Sequence, residues 1–328
     1  KELTKAQLDA GQTGIPVRSE AKRIQDLLKS TKLNIQRGSD DAFMYSRIPF
    51  GIPALDDLTG GGIPKKRMTI LYGPTNVGKS YLASQIVVNA QKEGGTAAWI
   101  DTELSWDSDW YRKCGVDVDN TLVSQPVNGE EAMDTVRELM QMGIDVIILD
   151  SIAGLVPTAV VEEEFSYNPM AWQARFVNSA LPKLLPNLKK GSALVAINQV
   201  RSSIGPVALD NMPGGLAQSF FAHFLLQVRR KGWIEDKDKA KVGFDMEIRL
   251  RKTKVGGDNW ESAVVPFRVE GGIDVMESFI REGIQKKIIS QAGPWYNYKG
   301  EKAMGLNGIK TFFVDNPDHF KQLKEEVI

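Results

Sequence analysis

An α/β fold built on a central, mainly parallel sheet is predicted by three features of this 328-residue chain. Apolar runs of strand length alternate with amphipathic helical segments from residue 67 to about residue 200. One of those runs, Val146-Ile147-Ile148-Leu149, has no polar alternation, as expected of a strand covered on both faces. And a glycine-rich loop, Gly73-Pro74-Thr75-Asn76-Val77-Gly78-Lys79-Ser80, lies between an apolar strand over 67–72 and a helix over 81–90. Beyond residue 224 the pattern changes. Strands over 224–230, 245–251 and 263–269, joined by polar turns at Lys231-Gly232 and Gly256-Gly257-Asp258-Asn259, predict an antiparallel extension of the same sheet. The expected organisation is an N-terminal segment (1–44) with a short helix, a core (45–274) and a small α/β C-terminal domain (275–328).

Taken in order, residues 1–18 are polar and offer little to bury. Ser19 is placed to cap a helix running to about Lys32, with Ile24, Leu27 and Leu28 as its apolar stripe. A lone amphipathic helix of that size needs a surface, either the chain's own core or a neighbouring subunit. A short helix is expected around 54–58, and Gly60-Gly61-Gly62 forms a tight connection into the first strand. Then come a strand over 96–100, a helix over 107–114 stopped by Gly115, a short strand over 121–124, and a helix over 130–142 ended by Gly143. Residues 170–190 are helical, with Pro182 and Pro186 expected to bend or divide the segment. A buried strand over 193–197 follows. The C-terminal domain carries a helix near 277–283, a turn at Gly293-Pro294, the aromatic run Trp295-Tyr296-Asn297-Tyr298 and a last helix after Pro317. There is no internal repeat and no low-complexity tract.

Bulk composition narrows the function classes. Lys plus Arg equals Asp plus Glu, 41 against 41, so a polyanion-binding surface has to be local and is not announced by net charge. The one cysteine, Cys114, forbids an intrachain disulfide and fits a reducing, cytoplasmic setting. It reads as a packed helix residue. No apolar run reaches membrane-spanning length, no signal-peptide pattern opens the chain, and the first residue is Lys rather than Met.

The loop at 73–80 has the G-x-x-x-x-G-K-S spacing of a phosphate-binding loop. Its glycines let backbone N–H groups turn inward toward phosphate oxygens, and the helix starting near Lys79 adds its positive end. Lys79 then reaches the β- and γ-phosphates, and the Ser80 hydroxyl is a ligand for Mg²⁺. Asp150 ends the buried strand, where a metal-organising carboxylate belongs. Glu103 follows the neighbouring strand end and is placed to orient and deprotonate an attacking water. Asp101 reads as structural. Asn198-Gln199 ends a third strand, where a neutral amide can hydrogen-bond a γ-phosphate, although many strand ends carry such residues. Residues 162–169 and 200–213 are irregular stretches. Each is either an ordinary surface loop or an element that couples nucleotide state to a ligand. Arg251, Lys252 and Lys254 form a basic cluster that is either a solvated face or a phosphate contact.

At this point the chain closely resembles the bacterial and phage RecA-type homologous recombinases, from about Ile48 to its C-terminus. The resemblance is carried by the phosphate loop, Trp99-Ile100-Asp101-Thr102-Glu103, Tyr111-Arg112-Lys113-Cys114-Gly115-Val116-Asp117 and Ser124-Gln125-Pro126. It continues through residues 145–151, Ile197-Asn198-Gln199-Val200-Arg201 and Pro213-Gly214-Gly215. The C-terminal run from Gly293 to Lys302 and Asp315-Asn316-Pro317 lie outside the ATPase core and separate this family from ring helicases of the same fold. The resemblance implies a RecA-like P-loop ATPase core that uses ATP and Mg²⁺. Lys79 with Ser80 binds phosphate and metal, Glu103 is the base, Asp150 is the second metal-side carboxylate and Gln199 is the γ-phosphate sensor. Trp110 stands where the family has a Tyr stacking on adenine, and Lys252 and Lys254 match a pair that reaches ATP on the adjacent subunit. Met170, Arg175, Arg201, Ser202, Ile204, Gly214 and Gly215 match the two DNA-contacting loops, and residues 1–44 match an oligomerisation segment. The chain departs from the family pattern in a shorter second loop, in Ser202 and Ser203 where Met and Lys are common, and in Pro182 where an Arg often contacts phosphate. The acidic tail common at the family's C-terminus is also absent.

The implied activity is ATP-dependent homologous pairing and strand exchange by a helical filament on single-stranded DNA. Its partners would be homologous double-stranded DNA, further copies of the chain, and single-strand-binding and loader proteins, with no membrane. Two rivals share the core: a ring-forming motor ATPase, and a non-catalytic recombination mediator.

Overall fold

The computed structural model describes residues 17–33, 35–40, 43–161, 169–200, 217–236, 238–256 and 261–328. The chain divides into two compact units, Lys1–Tyr45 and Ser46–Ile328. The first contains helix α1 (Val17–Ser30), with Ile24 and Leu27 exposed. It starts ahead of Ser19, which therefore lies inside the helix and not at its N-cap as expected. Val17, Arg18 and Glu20 are all compatible with a helix, so nothing stops it at the serine.

The second unit opens with β1 (Arg47–Ile48), α2 (Pro53–Thr59) and β2 (Ile63–Pro64). The alternating run follows: β3 (Met68–Gly73), α3 (Lys79–Lys92), β4 (Ala97–Asp101), α4 (Ser108–Lys113), β5 (Thr121–Ser124), α5 (Gly129–Met142), β6 (Val146–Asp150), α6 (Thr158–Val161), α7 (Pro169–Leu184), β7 (Ala193–Gln199) and α8 (Ala217–Phe221). Then come β8 (Phe224–Glu235), β9 (Lys241–Thr253), β10 (Ser262–Arg268), β11 (Gly272–Ile273) and α9 (Val275–Gln285). The chain closes with β12 (Ser290–Ala292), β13 (Trp295–Tyr298), β14 (Glu301–Met304), α10 (Gly305–Asp315) and α11 (Pro317–Val327).

One sheet organises the unit, in the order β11-β10-β9-β8-β3-β7-β6-β4-β5. Neighbours from β8 through β5 are parallel, and β9, β10 and β11 continue the sheet antiparallel, as the sequence pattern predicts. Successive side chains of a strand face opposite ways, so the central strands feed two cores. Leu71, Ile148, Val195 and Ile197 pack on one face with Leu82 and Ile86 of α3. Ile70, Tyr72, Ile147, Leu149 and Leu194 pack on the other with Val136 of α5 and Val177 and Leu181 of α7. Helices on both faces explain why β6 carries no polar alternation.

A second expectation is corrected in the sheet. Lys231-Gly232 is not a turn: β8 runs on to Glu235, and Gly232 sits at a register shift against β9. The chain reverses after Asp236, whose Oδ1 accepts from the N–H groups of Asp238 and Ala240. The strand beyond the bulge is held by Trp233, whose ring lies 4.2 Å from the Arg230 guanidinium and 4.6 Å from the Lys241 ammonium. The expected division of 170–190 falls at Pro186 and not at Pro182, which lies inside α7. The chain leaves α geometry at Leu185–Lys190, a 3₁₀ turn with Pro186 in its first positions, where a missing N–H costs little.

The C-terminal residues build a third core from Phe279, Ile289, Tyr298, Ile309, Phe313 and Leu323. Helix α10 was not expected from the sequence, because Gly305, Gly308 and several β-branched residues weaken its intrinsic propensity. It forms because Ile309 and Phe313 bury in that core. Charged groups join this part to the sheet. Glu277 of α9 is only 1% exposed and meets Arg268 (2.6 Å), Arg281 (2.6 Å) and Lys310 (2.7 Å). Arg281 also pairs with Asp245 of β9 at 2.7 Å.

Candidate nucleotide site

Parallel register brings the chemistry-bearing strand ends to one level. Gly73 is aligned with Gln199, and Asp101 with Asp150. The carboxyl ends of parallel strands are where such sheets place their ligands. A cavity of about 690 Å³ opens there. It is lined by Thr75, Asn76, Gly78, Lys79 and Ser80 of the loop and α3, by Glu103 and Trp110 beyond β4, by Asp150 and by Gln199. Tyr81, Ile197, Phe244 and Phe267 complete its wall.

The loop is shaped by its glycines. Gly78 has φ +85°, and a Cβ there would stand 2.5 Å from Met246 Cε. At Gly73 a Cβ would meet the Val228 carbonyl at 2.0 Å. Lys79 is buried, and its Nζ donates to the carbonyls of Gly73 (3.1 Å) and Pro74 (2.6 Å). Burial pushes this ammonium below its ordinary range, against the pull of Asp150 and Glu103. Val77 packs in the core under the loop.

Asp150 is 4% exposed. Burial pushes its carboxyl up to about 7. The Ser80 hydroxyl opposes this by donating to it, Glu103 and Asp101 raise it further, and Lys79 pulls it down. The Asp150–Ser151 peptide is cis. Asp101, fully buried, accepts from Trp106 N (2.8 Å), Gln125 Nε2 (2.9 Å) and Ser105 Oγ (3.2 Å). Burial acts to raise it, but these donated bonds prevail and hold it below its usual value. It closes the loop that carries Glu103. The exposed Glu103 carboxylate receives two bonds on one oxygen, Oε1, from Ser151 Oγ at 2.5 Å and Gln199 Nε2 at 2.8 Å.

Trp110 is 41% exposed at the cavity mouth. Asp107 caps α4 by accepting from the N–H groups of Asp109 and Trp110. Beneath the helix, Tyr111 stacks on Trp106 at 4.2 Å and meets Trp99 at 4.7 Å. Cys114 packs against the core beside it, its thiol pushed up to about 11 by burial.

Lys252 and Lys254 do not line the cavity. Lys252 Nζ donates to the Ser219 and Phe220 carbonyls and Lys254 Nζ to the Phe220 carbonyl (2.8 Å), at the end of α8. Met170 lies in the first turn of α7. Arg175, exposed on the same helix, has its guanidinium 5.9 Å from the ring of Trp172. Arg201, Ser202, Ile204, Gly214 and Gly215 lie outside the described residues. Sequence reasoning missed Ser151, Phe244 and Phe267 as parts of the site. Ser151 was read only as the end of the 145–151 run, with no role assigned, and the two phenylalanines arrive from the antiparallel strands with no local motif.

The arrangement defines a class, an α/β protein whose glycine loop, buried lysine and strand-end carboxylates converge on one cavity. A family model for the RecA N-terminal domain matches residues 29–274. The chain belongs to the RecA family. Among the described residues, no helix is long and apolar enough to cross a membrane.

Proposed function

We propose that this protein is an ATP-dependent DNA recombinase, a filament-forming ATPase that pairs homologous strands. The observation that carries the reading is the convergence of Lys79, Ser80, Glu103, Asp150 and Gln199 on one cavity in a chain of this family. The donor set fits ATP with Mg²⁺. Ser80 and Asp150 offer adjoining hard oxygens, and Asp150 is a buried carboxylate that a cation would relieve. Gly78 lets the loop turn tightly against Met246 and Phe267, where a Cβ does not fit. Bound Mg²⁺ would offset phosphate charge as the γ-phosphate departs.

The chain's own groups do the rest. Loop N–H groups and Lys79 bind the phosphates. Trp110 stacks on the adenine. Glu103 orients the attacking water and takes its proton, and Gln199 senses the γ-phosphate. Lys252 and Lys254 reach the nucleotide of an adjacent protomer, so that ATP cements the filament, with residues 1–44 as the oligomerisation segment. Met170, Arg175, Arg201, Ser202, Ile204, Gly214 and Gly215 contact single-stranded DNA, and base pairing with a homologous duplex supplies the specificity.

Homology-dependent D-loop formation tests this. Joint molecules between a labelled single strand and a supercoiled duplex are expected with Mg-ATP and lost with a heterologous strand. Strand unwinding by closed rings would identify a motor. DNA binding without ATP turnover or joint molecules would identify a mediator.

A further inference from the structure

We infer that Ser151 is the positioning residue that aims Glu103 at the attacking water. The inference rests on the reading of Glu103 as the base. Glu103 stands on an irregular turn beyond β4 and is exposed, and a carboxylate so placed would otherwise sample several rotamers. Two donors stop it, and both act on Oε1: the Ser151 hydroxyl at 2.5 Å and the Gln199 amide at 2.8 Å. Among the described residues, Oε2 receives no hydrogen bond, so it is the oxygen free to accept the water's proton.

The two donors are not equivalent. Gln199 is part-exposed on the last residue of β7. As γ-phosphate sensor it must exchange Glu103 for phosphate. Ser151 has no such freedom. It is fully buried, and its backbone is clasped to the turn that bears Glu103. The Thr102 hydroxyl accepts from Ser151 N–H and donates to the Ser151 carbonyl, both at 2.8 Å. Thr102 N–H donates to the Asp150 carbonyl, also at 2.8 Å. Gly154 gives the clasp room, since a Cβ there would stand 2.4 Å from Thr102 Oγ1. The ends of β4 and β6 are thus stitched together beyond the sheet. Ser151 remains as the fixed anchor when Gln199 turns to the phosphate, and Oε2 keeps its aim.

The test is a double-mutant cycle on DNA-stimulated ATP hydrolysis by the full chain, with Ser151→Ala, Glu103→Gln and the pair. Ser151→Ala is expected to lower kcat by about tenfold or more. The KM for ATP and the magnesium concentration at half-maximal rate should stay within about twofold. In the Glu103→Gln background the same change should lower the residual rate by less than about twofold, because Ser151 acts through the carboxylate. Additive losses would assign Ser151 a general structural role and overturn the inference. A raised magnesium requirement would assign it to Asp150 and also overturn it. Full turnover by Ser151→Ala beside an inactive Glu103→Gln would sink the positioning role and leave the base assignment standing. Normal turnover by Glu103→Gln would remove the base assignment itself.

Discussion

Lys79 is a buried ammonium whose donors turn toward the carbonyls of its own loop, and burial holds its affinity for the proton below the ordinary level. In the proposed nucleotide site this ammonium is the charge offered to the phosphates. Lys79→Ala is expected to weaken ATP binding at least about tenfold by calorimetry, leaving the thermal transition nearly unchanged. On the proposed function, Glu103→Ala is expected to separate the functions: filter binding should show ATP and DNA still bound, with hydrolysis poor and filaments persistent. A smaller contribution is expected from Trp110. A stacked aromatic adds about 0.5–1.5 kcal/mol, so Trp110→Ala should raise the Kd for ATP by roughly two- to twelvefold, and Trp110→Tyr should restore it.

Elements hold these residues in place through their ends. Asn128 caps α5 by accepting from Glu131 N–H at 2.8 Å, and Glu131 reaches back to the N–H of Val127 at 2.7 Å. The helix carries Val136, Leu139 and Met140 into the core beneath β6. Asn128→Ala should therefore cost about 1 kcal/mol of stability in urea unfolding, with kcat for ATP retained. The turn from β3 into α3 is less forgiving. Gly78→Ala forces a left-handed backbone on a residue with a Cβ and drives that carbon toward Met246. About 1–2 kcal/mol of strain is expected there, with nucleotide affinity falling alongside stability.

Across the second unit, the sheet and the C-terminal core are joined by a cluster of charges around Glu277. Burial acts to raise this carboxyl, but Lys310, Arg268 and Arg281 outweigh it and bring it down to about 2. A carboxyl whose folded value lies below its ordinary one of 4.5 stabilises the fold at and above that ordinary value. Its contribution, about 3 kcal/mol, is lost as the pH falls from about 4.5 to 2. Acid unfolding followed by circular dichroism should show this. Glu277→Gln should be less stable than wild type at pH 7 by about 3 kcal/mol or more, and the difference should shrink steadily below pH 4.5. A constant difference across that range would place the coupling elsewhere.

The parts of this protein that were legible residue by residue are those decided by local chemistry. The 73–80 spacing announces a glycine loop between strand and helix, because the left-handed backbone at Gly78 favours glycine and Lys79 reaches back to the loop carbonyls. Gly143 marks the end of α5 for the same kind of reason, and unbroken apolar runs mark β6 and β7 as covered on both faces. Where the signal was tertiary, local reading failed. Lys231-Gly232 has the composition of a turn, but β9 supplies a partner strand and turns the glycine into a bulge. Helix α10 has poor propensity and forms because a core awaits Ile309 and Phe313. Ser151 lies in the 145–151 run, but the run does not say what its hydroxyl meets. Its meaning comes from parallel β4–β6 register, which sets Thr102 and Glu103 against it from 48 and more residues away in the chain. Sequence patterns record what a residue does to its own backbone; which side chains meet is set by strand order and register, and these exist only once the whole sheet has formed.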